Sequence, residues 1–238
     1  MIEVKNLEKK FQNNGKKKEV FSNFNLSLGK GEQVGLFGPN GSGKTTLLNI
    51  LSAVDTDFHG QVKLESKRIA YIHQDPNATL APWFTCEQNI LLARKFHDLD
   101  IEGGKTLLKK LCVEFNVNFS LAQYPFSLSG GQRQIVTLLR ALVIEPTILL
   151  LDEPFSSLDV EKRIDVSKVL SRYFLQEMTV IFCSHRGDEI KSLITRAITL
   201  SGLPAKIERD VSKKDFQSKE QFEEAVSKIR FKKYESEI

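Results

Sequence analysis

Apolar positions along the chain follow two rhythms. Near the start they alternate with polar ones: Ile2, Val4, Leu7 and Phe11, then again through "VFSNFNLSL". Between these stretches stands Asn14-Gly15, a two-residue turn signal, so the pattern predicts an antiparallel hairpin. Further on, short runs are apolar at consecutive positions. "VGLF" (Val34 to Phe37) leads into Gly38, and "IAYI" (Ile69 to Ile72) into His73 and Gln74. "ILLL" (Ile148 to Leu151) leads into Asp152 and Glu153, and "VIFC" (Val180 to Cys183) into Ser184 and His185. Continuous runs of this length predict strands buried on both faces of a parallel sheet. Ligands in such folds bind beyond the carboxyl ends of the strands. The polar endings are therefore expected to gather along one edge.

Residues 77–135 read differently. "LLARKF", "KTLLKKLCVEF" and "GGQRQIVTLLRALV" have helical periodicity and little strand character. They predict an α-helical subdomain inserted into an α/β core made of residues 1–76 and 136–204. Residues 205–238 form a charge-rich tail. In it Ser218 and Gln221 fit a capping box, and Phe222, Ala225, Val226 and Ile229 make one apolar stripe, so one docked helix is expected. The whole of 1–238 reads as one domain.

Composition narrows the classes without choosing among them. The 238 residues include 41% hydrophobic and 27% charged positions, an ordinary soluble balance. Net charge is +4, from 34 basic and 30 acidic residues, too mild to argue for nucleic acid. The run Lys16 to Lys18 reads as a solvated turn. Cys86, Cys112 and Cys183 lack metal or redox spacing and fit reduced thiols. "MIEVKNLEKKF" has no signal-peptide pattern, and no apolar run reaches the roughly 18 residues of a membrane span. If the protein serves a membrane, another chain must cross it.

The chemistry begins at "GPNGSGKTT", Gly38 to Thr46, between a strand and the helical "TTLLNILSA". This is the G-x-x-x-x-G-K-[ST] pattern in its required strand–loop–helix context. Gly38, Pro39, Asn40, Gly41, Ser42 and Gly43 form a loop whose backbone N–H groups can cradle phosphates at a helix N-terminus. Lys44 can reach the β- and γ-phosphates, and Thr45 and Thr46 open the helix, with Thr45 a ligand for Mg²⁺. ATP and Mg²⁺ are the expected cofactors. Asp152 would hold the Mg²⁺ through water, and Glu153 would deprotonate the attacking water. His185 is assigned to the γ-phosphate, and Gln74 to Mg²⁺ or the attacking water. Taken alone, an Asp-Glu pair is usually turn chemistry and a single His usually structural; their shared position at strand ends reverses that.

"YPFSLSGGQRQIVTLLRAL" supplies a second anion site. Ser129 and Gln132 fit a capping box over Gly130 and Gly131, and the helix should stop before Glu145-Pro146. The loop from Gly38 already surrounds one triphosphate. Two phosphate sites with one phosphate loop predict a symmetric pair, each chain facing the other's nucleotide.

Together these motifs resemble those of the ATP-binding-cassette ATPases over nearly the whole chain. "GPNGSGKTT" is similar to the Walker A loop, Gln74 to the Q-loop, and "LSGGQ" to the signature. "ILLLDEP" is similar to Walker B, "SSLD" ending at Asp159 to the D-loop, and His185 to the switch histidine. The resemblance implies a RecA-like P-loop NTPase core with an N-terminal antiparallel β portion and an inserted α-helical subdomain. It also implies head-to-tail closure on ATP, with Ser129 and Gly131 on the partner's γ-phosphate, Gly130 and Gln132 beside them, and Asp159 at the interface. Phe11 stands where the family's adenine-stacking aromatic, commonly Tyr, is found. "LAPWFTCEQNI" and "SHRGDEIKSLITRAITLSGLPAKI" resemble segments of the nitrate/sulfonate/taurine-type importer group, although Arg186-Gly187 departs from its usual residues. That group implies an importer of a small anion or sulfonate-like solute. The implied partners are a second copy of the chain, transmembrane permease subunits and a solute-binding protein, at the cytoplasmic face of the inner membrane. The alternatives are an exporter or lipid-system cassette and a non-transport cassette. Trp83 either lines the groove for the permease or anchors the helical subdomain from within.

Overall fold

A computed structural model describes residues 1–231 except Asn14, Gly15, Lys67, Leu175 and Gln176. Two sheets organise the chain. Strands β1 (Ile2–Asn13) and β2 (Lys16–Leu28) pair antiparallel, Phe11 opposite Lys18. The expected Asn14-Gly15 turn lies outside the described residues. Strand β3 (Gln33–Phe37) leaves this hairpin for the second sheet, helix α1 (Lys44–Leu51) follows, and β4 (His59–Leu64) returns to pair with β1.

The second sheet takes its strands from across the chain: β5 (Ile69–Ile72), β6 (Ile148–Asp152), β7 (Thr179–Ser184), β8 (Arg196–Ser201) and β9 (Lys206–Ser212). Its order is β5-β6-β7-β3-β8-β9. All neighbours are parallel except β8 and β9. The four expected strands are thus contiguous.

Successive residues of one strand enter opposite cores. Ile148 and Leu150 of β6 join Ile181 and Cys183 of β7 on one face, beneath α1 and the three-stranded sheet. Leu149 and Leu151 join Val180 and Phe182 on the other, beneath the remaining helices. Period-two alternation explains why both faces are apolar. Each fully buried Leu or Ile side chain contributes about 2 kcal/mol relative to exposure.

The helical segments appear as α2 (Cys86–Phe96), α3 (Ile101–Glu114) and α4 (Gly130–Leu142), followed by α5 (Val160–Phe174) and α6 (Lys219–Ser227). Buried Arg94 ties three of them together: Nε donates to the Asp100 carbonyl at 2.7 Å and Nη1 to the Val143 carbonyl at 2.7 Å. Helix α4 runs unbroken through position 135, where the subdomain was expected to end. The stretch expected as a tail opens with β9, which belongs to the core sheet. Its charges reflect an edge strand with one mostly exposed face, where charge discourages further pairing. Among the described residues no helix is long and apolar enough to cross a membrane.

Candidate nucleotide site

Strand β3 is central, and its carboxyl end opens directly into the glycine-rich loop. Gly41 and Gly43 have φ of 78° and 96°, a left-handed region that glycine enters without strain. A side chain on Gly43 would also press on Phe21 and Val20 at 3.0 Å. Gly43 caps α1 without a side-chain hydrogen bond, so the helix's first N–H groups keep their capacity for an anion. Lys44 is buried and curls back, its Nζ donating to the carbonyls of Gly38 at 2.8 Å and Pro39 at 3.1 Å. The buried Ser42 hydroxyl has no hydrogen-bond partner. A cradle with an orphaned hydroxyl, a buried cation and an open helix start fits a polyphosphate.

Beside the loop lies a cavity of about 350 Å³. Asn40, Gly41, Gly43, Lys44, Thr45 and Thr46 form its floor, and Gln74, Asp152 and Glu153 approach from the ends of β5 and β6. Phe11 also lines it. The Lys9 ammonium sits 4.8 Å from the Phe11 ring centroid, itself held at 2.9 Å by Asp55. Sequence reasoning missed this support. It also read Lys18 as part of a solvated turn, whereas Lys18 lines the cavity. The hairpin register that pairs it with Phe11 was the signal available.

Thr45 Oγ1 donates to Asp152 Oδ2 at 2.6 Å, which brings the helix start and the β6 end into contact. Burial pushes the Asp152 carboxyl above its ordinary range, against the opposing pull of Thr45 and Lys44. A hydroxyl, a buried carboxylate and the nearby Gln74 suit Mg²⁺, a cation that takes its other ligands from phosphate and water.

Glu153 follows β6 at φ 47°, an uncommon conformation for a residue other than glycine. Its N–H donates to the Cys183 carbonyl at 3.0 Å. Its carboxylate Oε1 meets His185 Nδ1 at 2.9 Å. A nearly buried carboxylate on a strained backbone, in contact with an imidazole, is suited to take a proton from water.

The signature segment forms a complete capping box. Ser129 Oγ accepts from Gln132 N–H at 3.2 Å, and Ser129 N–H donates to Gln132 Oε1 at 2.9 Å. The glycines touch another region of the chain: a Cβ on Gly131 would lie 3.2 Å from the Ser157 carbonyl, and one on Gly130 3.9 Å from Ser157 Cβ. Asp159, just beyond, caps α5 through the Lys162 N–H at 2.7 Å. None of Ser129, Gly130, Gly131, Gln132 and Asp159 lines the cavity. Trp83 is 72% exposed, which corrects the reading of it as an anchor buried within the subdomain.

A parallel sheet with a phosphate loop after its central strand, and acidic and histidine side chains at adjacent strand ends, defines a P-loop ATPase. The family model for ABC transporters matches residues 21–156, and the chain belongs to that family as an ATP-binding cassette ATPase. It is 32% identical over 239 residues to an aliphatic sulfonates import ATP-binding protein of Bacillus cereus, covering 97% of this chain and 93% of that protein. Its counterpart of the same name in Bacillus subtilis (strain 168) is 35% identical, covering 85% of this chain and 80% of that one. Among solved structures, a dimeric post-hydrolysis state of an ATP-binding cassette bound to ADP and Pi superposes with a TM-score of 0.78 at 26% identity. It covers 89% of this chain and 98% of its own.

Proposed function

We propose that this chain is the ATP-hydrolysing subunit of an importer for a sulfonate or similar small anion. It works as a homodimer bound to permease subunits at the cytoplasmic face of the membrane, supplied by a solute-binding protein. The near full-length likeness to sulfonate-import ATP-binding proteins carries the transport reading. The 2.9 Å pair of Glu153 and His185 carries the hydrolytic one.

In this reading the loop N–H groups and Lys44 bind the phosphates, and Phe11 stacks on the base. Thr45, Gln74 and, through water, Asp152 hold Mg²⁺, whose charge offsets that of the phosphates. Glu153 accepts the proton of the water that attacks the γ-phosphorus, and His185 keeps that carboxylate in place. Ser129 and Gly131 of each protomer complete the site of the other, which accounts for their distance from the wall of their own cavity. Exposed Trp83 belongs to the surface that meets the permease.

The test is growth. A strain lacking the gene should fail on an aliphatic sulfonate as sole sulfur source and grow on sulfate. Equal growth on both would overturn the substrate. Loss of ATP hydrolysis in purified Glu153→Gln checks the chemistry separately.

A further inference from the structure

Beyond β7 the chain passes His185 and turns through residues 187–189. Two backbone hydrogen bonds join this turn to the segment after α6. The Phe231 N–H donates to the His185 carbonyl at 3.1 Å, and the Gly187 N–H donates to the Ile229 carbonyl at 3.0 Å. Between them Arg186 and Arg230 form an antiparallel bridge. Residues 229–231 thus lie as a short strand along the peptide of the switch histidine.

Helix α6 delivers that strand. Ser218 caps it through the Gln221 N–H at 3.3 Å, and Phe222 and Val226 bury in the core that holds Phe182 and Ile190. The fit depends on one glycine. A Cβ on Gly187 would lie 1.8 Å from the Val226 carbonyl oxygen, closer than any real contact. Gly187 is not among the glycines with positive φ, so close approach rather than turn geometry requires it. The departure "HRG" from the importer group's usual residues acquires a physical reason. On its other side the turn is tied to α5. Glu189 accepts from Arg163 Nη1 at 2.8 Å, and Arg163 Nη2 reaches the carbonyls of Phe155 and Leu158 at 3.5 Å each.

We propose that α6 and residues 229–231 are a positioning clamp for His185. The clamp fixes the histidine's carbonyl and the turn after it, so that Nδ1 stays on Glu153. It acts on turnover and not on nucleotide affinity, because none of its residues lines the nucleotide cavity. The proposal rests on the role given to His185 above. A tail that only covers the core would need Phe222 and Val226, but not hydrogen bonds to the histidine's own peptide.

The experiment uses the full chain. Phe231→Pro removes the N–H that donates to His185 and leaves the buried anchors of α6 in place. Gly187→Ala forces the end of α6, at Val226, away from the turn. Both should lower kcat for ATP hydrolysis by about tenfold to a hundredfold, the scale of a misplaced catalytic group. KM for ATP should hold near wild type in both, while the melting temperature should fall for Gly187→Ala, whose Cβ must push α6 aside. His185→Ala is the reference and should be nearly inactive. If it is inactive while Phe231→Pro and Gly187→Ala keep full kcat, the clamp is wrong and the histidine's role stands. If His185→Ala keeps full activity, the role of the histidine fails first and the clamp with it. In Phe231→Pro, a fall in kcat matched by a rise in KM and a lower melting temperature would mark general loosening and also overturn the proposal.

Discussion

His185 Nδ1 lies 2.9 Å from Glu153 Oε1, joining the residue after β7 to the residue after β6 across adjacent strands. The two are 32 positions apart in sequence. Their meeting brings two separate strand endings into one contact at the edge of the sheet.

Glu153→Gln keeps the shape of the side chain and removes its basicity. Hydrolysis should fall by about a hundredfold to ten-thousandfold, the range for loss of a general base. ATP binding should persist, and ATP with Mg²⁺ should trap a dimer visible by light scattering. A variant that stays monomeric at saturating ATP counts against the two-cassette arrangement.

Lys44→Ala removes the buried cation that now rests on the Gly38 and Pro39 carbonyls. A hydrogen bond to a charged group is worth about 1.5–3 kcal/mol, so ATP affinity should drop roughly tenfold to a hundredfold. Equilibrium binding of a fluorescent ATP analogue measures it. Near-wild-type affinity would remove Lys44 from the phosphate site.

Asp152→Asn should separate stability from activity. Burial raises this carboxyl from its ordinary 3.8. The native state therefore holds the proton more tightly than the unfolded chain, and stability falls as pH rises from 3.8 through the raised value. The cost is present wherever the carboxylate is ionised in the folded chain. The amide removes it and can still accept from Thr45. The nucleotide-free variant should therefore melt higher than wild type at neutral pH. Mg²⁺-dependent hydrolysis should be lost. A lower melting temperature would show that the ionised form is compensated.

Gly43→Ala places a side chain on a backbone at φ 96° and against Phe21 and Val20 at 3.0 Å. Strain of this kind costs about 1–3 kcal/mol. Urea denaturation should register it, and ATP binding should weaken because the same loop carries the phosphates. An unchanged unfolding midpoint would contradict the geometry.

Ser129→Arg crowds the capping box of α4 but does not touch Lys44 or Thr45. Monomer binding of ATP should stay and hydrolysis should vanish. Mixing this variant with Lys44→Ala gives mixed dimers with one doubly damaged site and one intact site. Random pairing in a two-fold dimer should then restore roughly a quarter of the wild-type rate, if one intact site suffices. No recovery from such mixed dimers would place hydrolysis within single chains or make both sites necessary. Loss of ATP binding by the Ser129→Arg monomer would put the serine in its own chain's site.

The sequence by itself determined the N-terminal hairpin, the four apolar strands that carry the site, the phosphate loop and the acidic end of β6. Those features are local: an apolar run buries itself, glycines permit the loop, and Ser129 with Gln132 closes its own capping box. It also placed Ser218 and Gln221 at the start of α6, although only the serine's half of that box forms; the Gln221 side chain accepts from Gln217. What it did not reveal was which distant segments would touch. Only the tertiary structure turned the paired Lys18 and Phe11 onto the wall of the phosphate-loop cavity, set Lys9 beneath the ring, added β9 to the core sheet and closed residues 229–231 on His185. Each of these contacts joins segments whose own patterns are equally satisfied by solvent: a lysine run, an edge strand of charges, a glycine after a histidine. Sheet register and the packing of α6 decide them, because burial of Phe222 and Val226 fixes where the polar backbone beside them must find its hydrogen bonds.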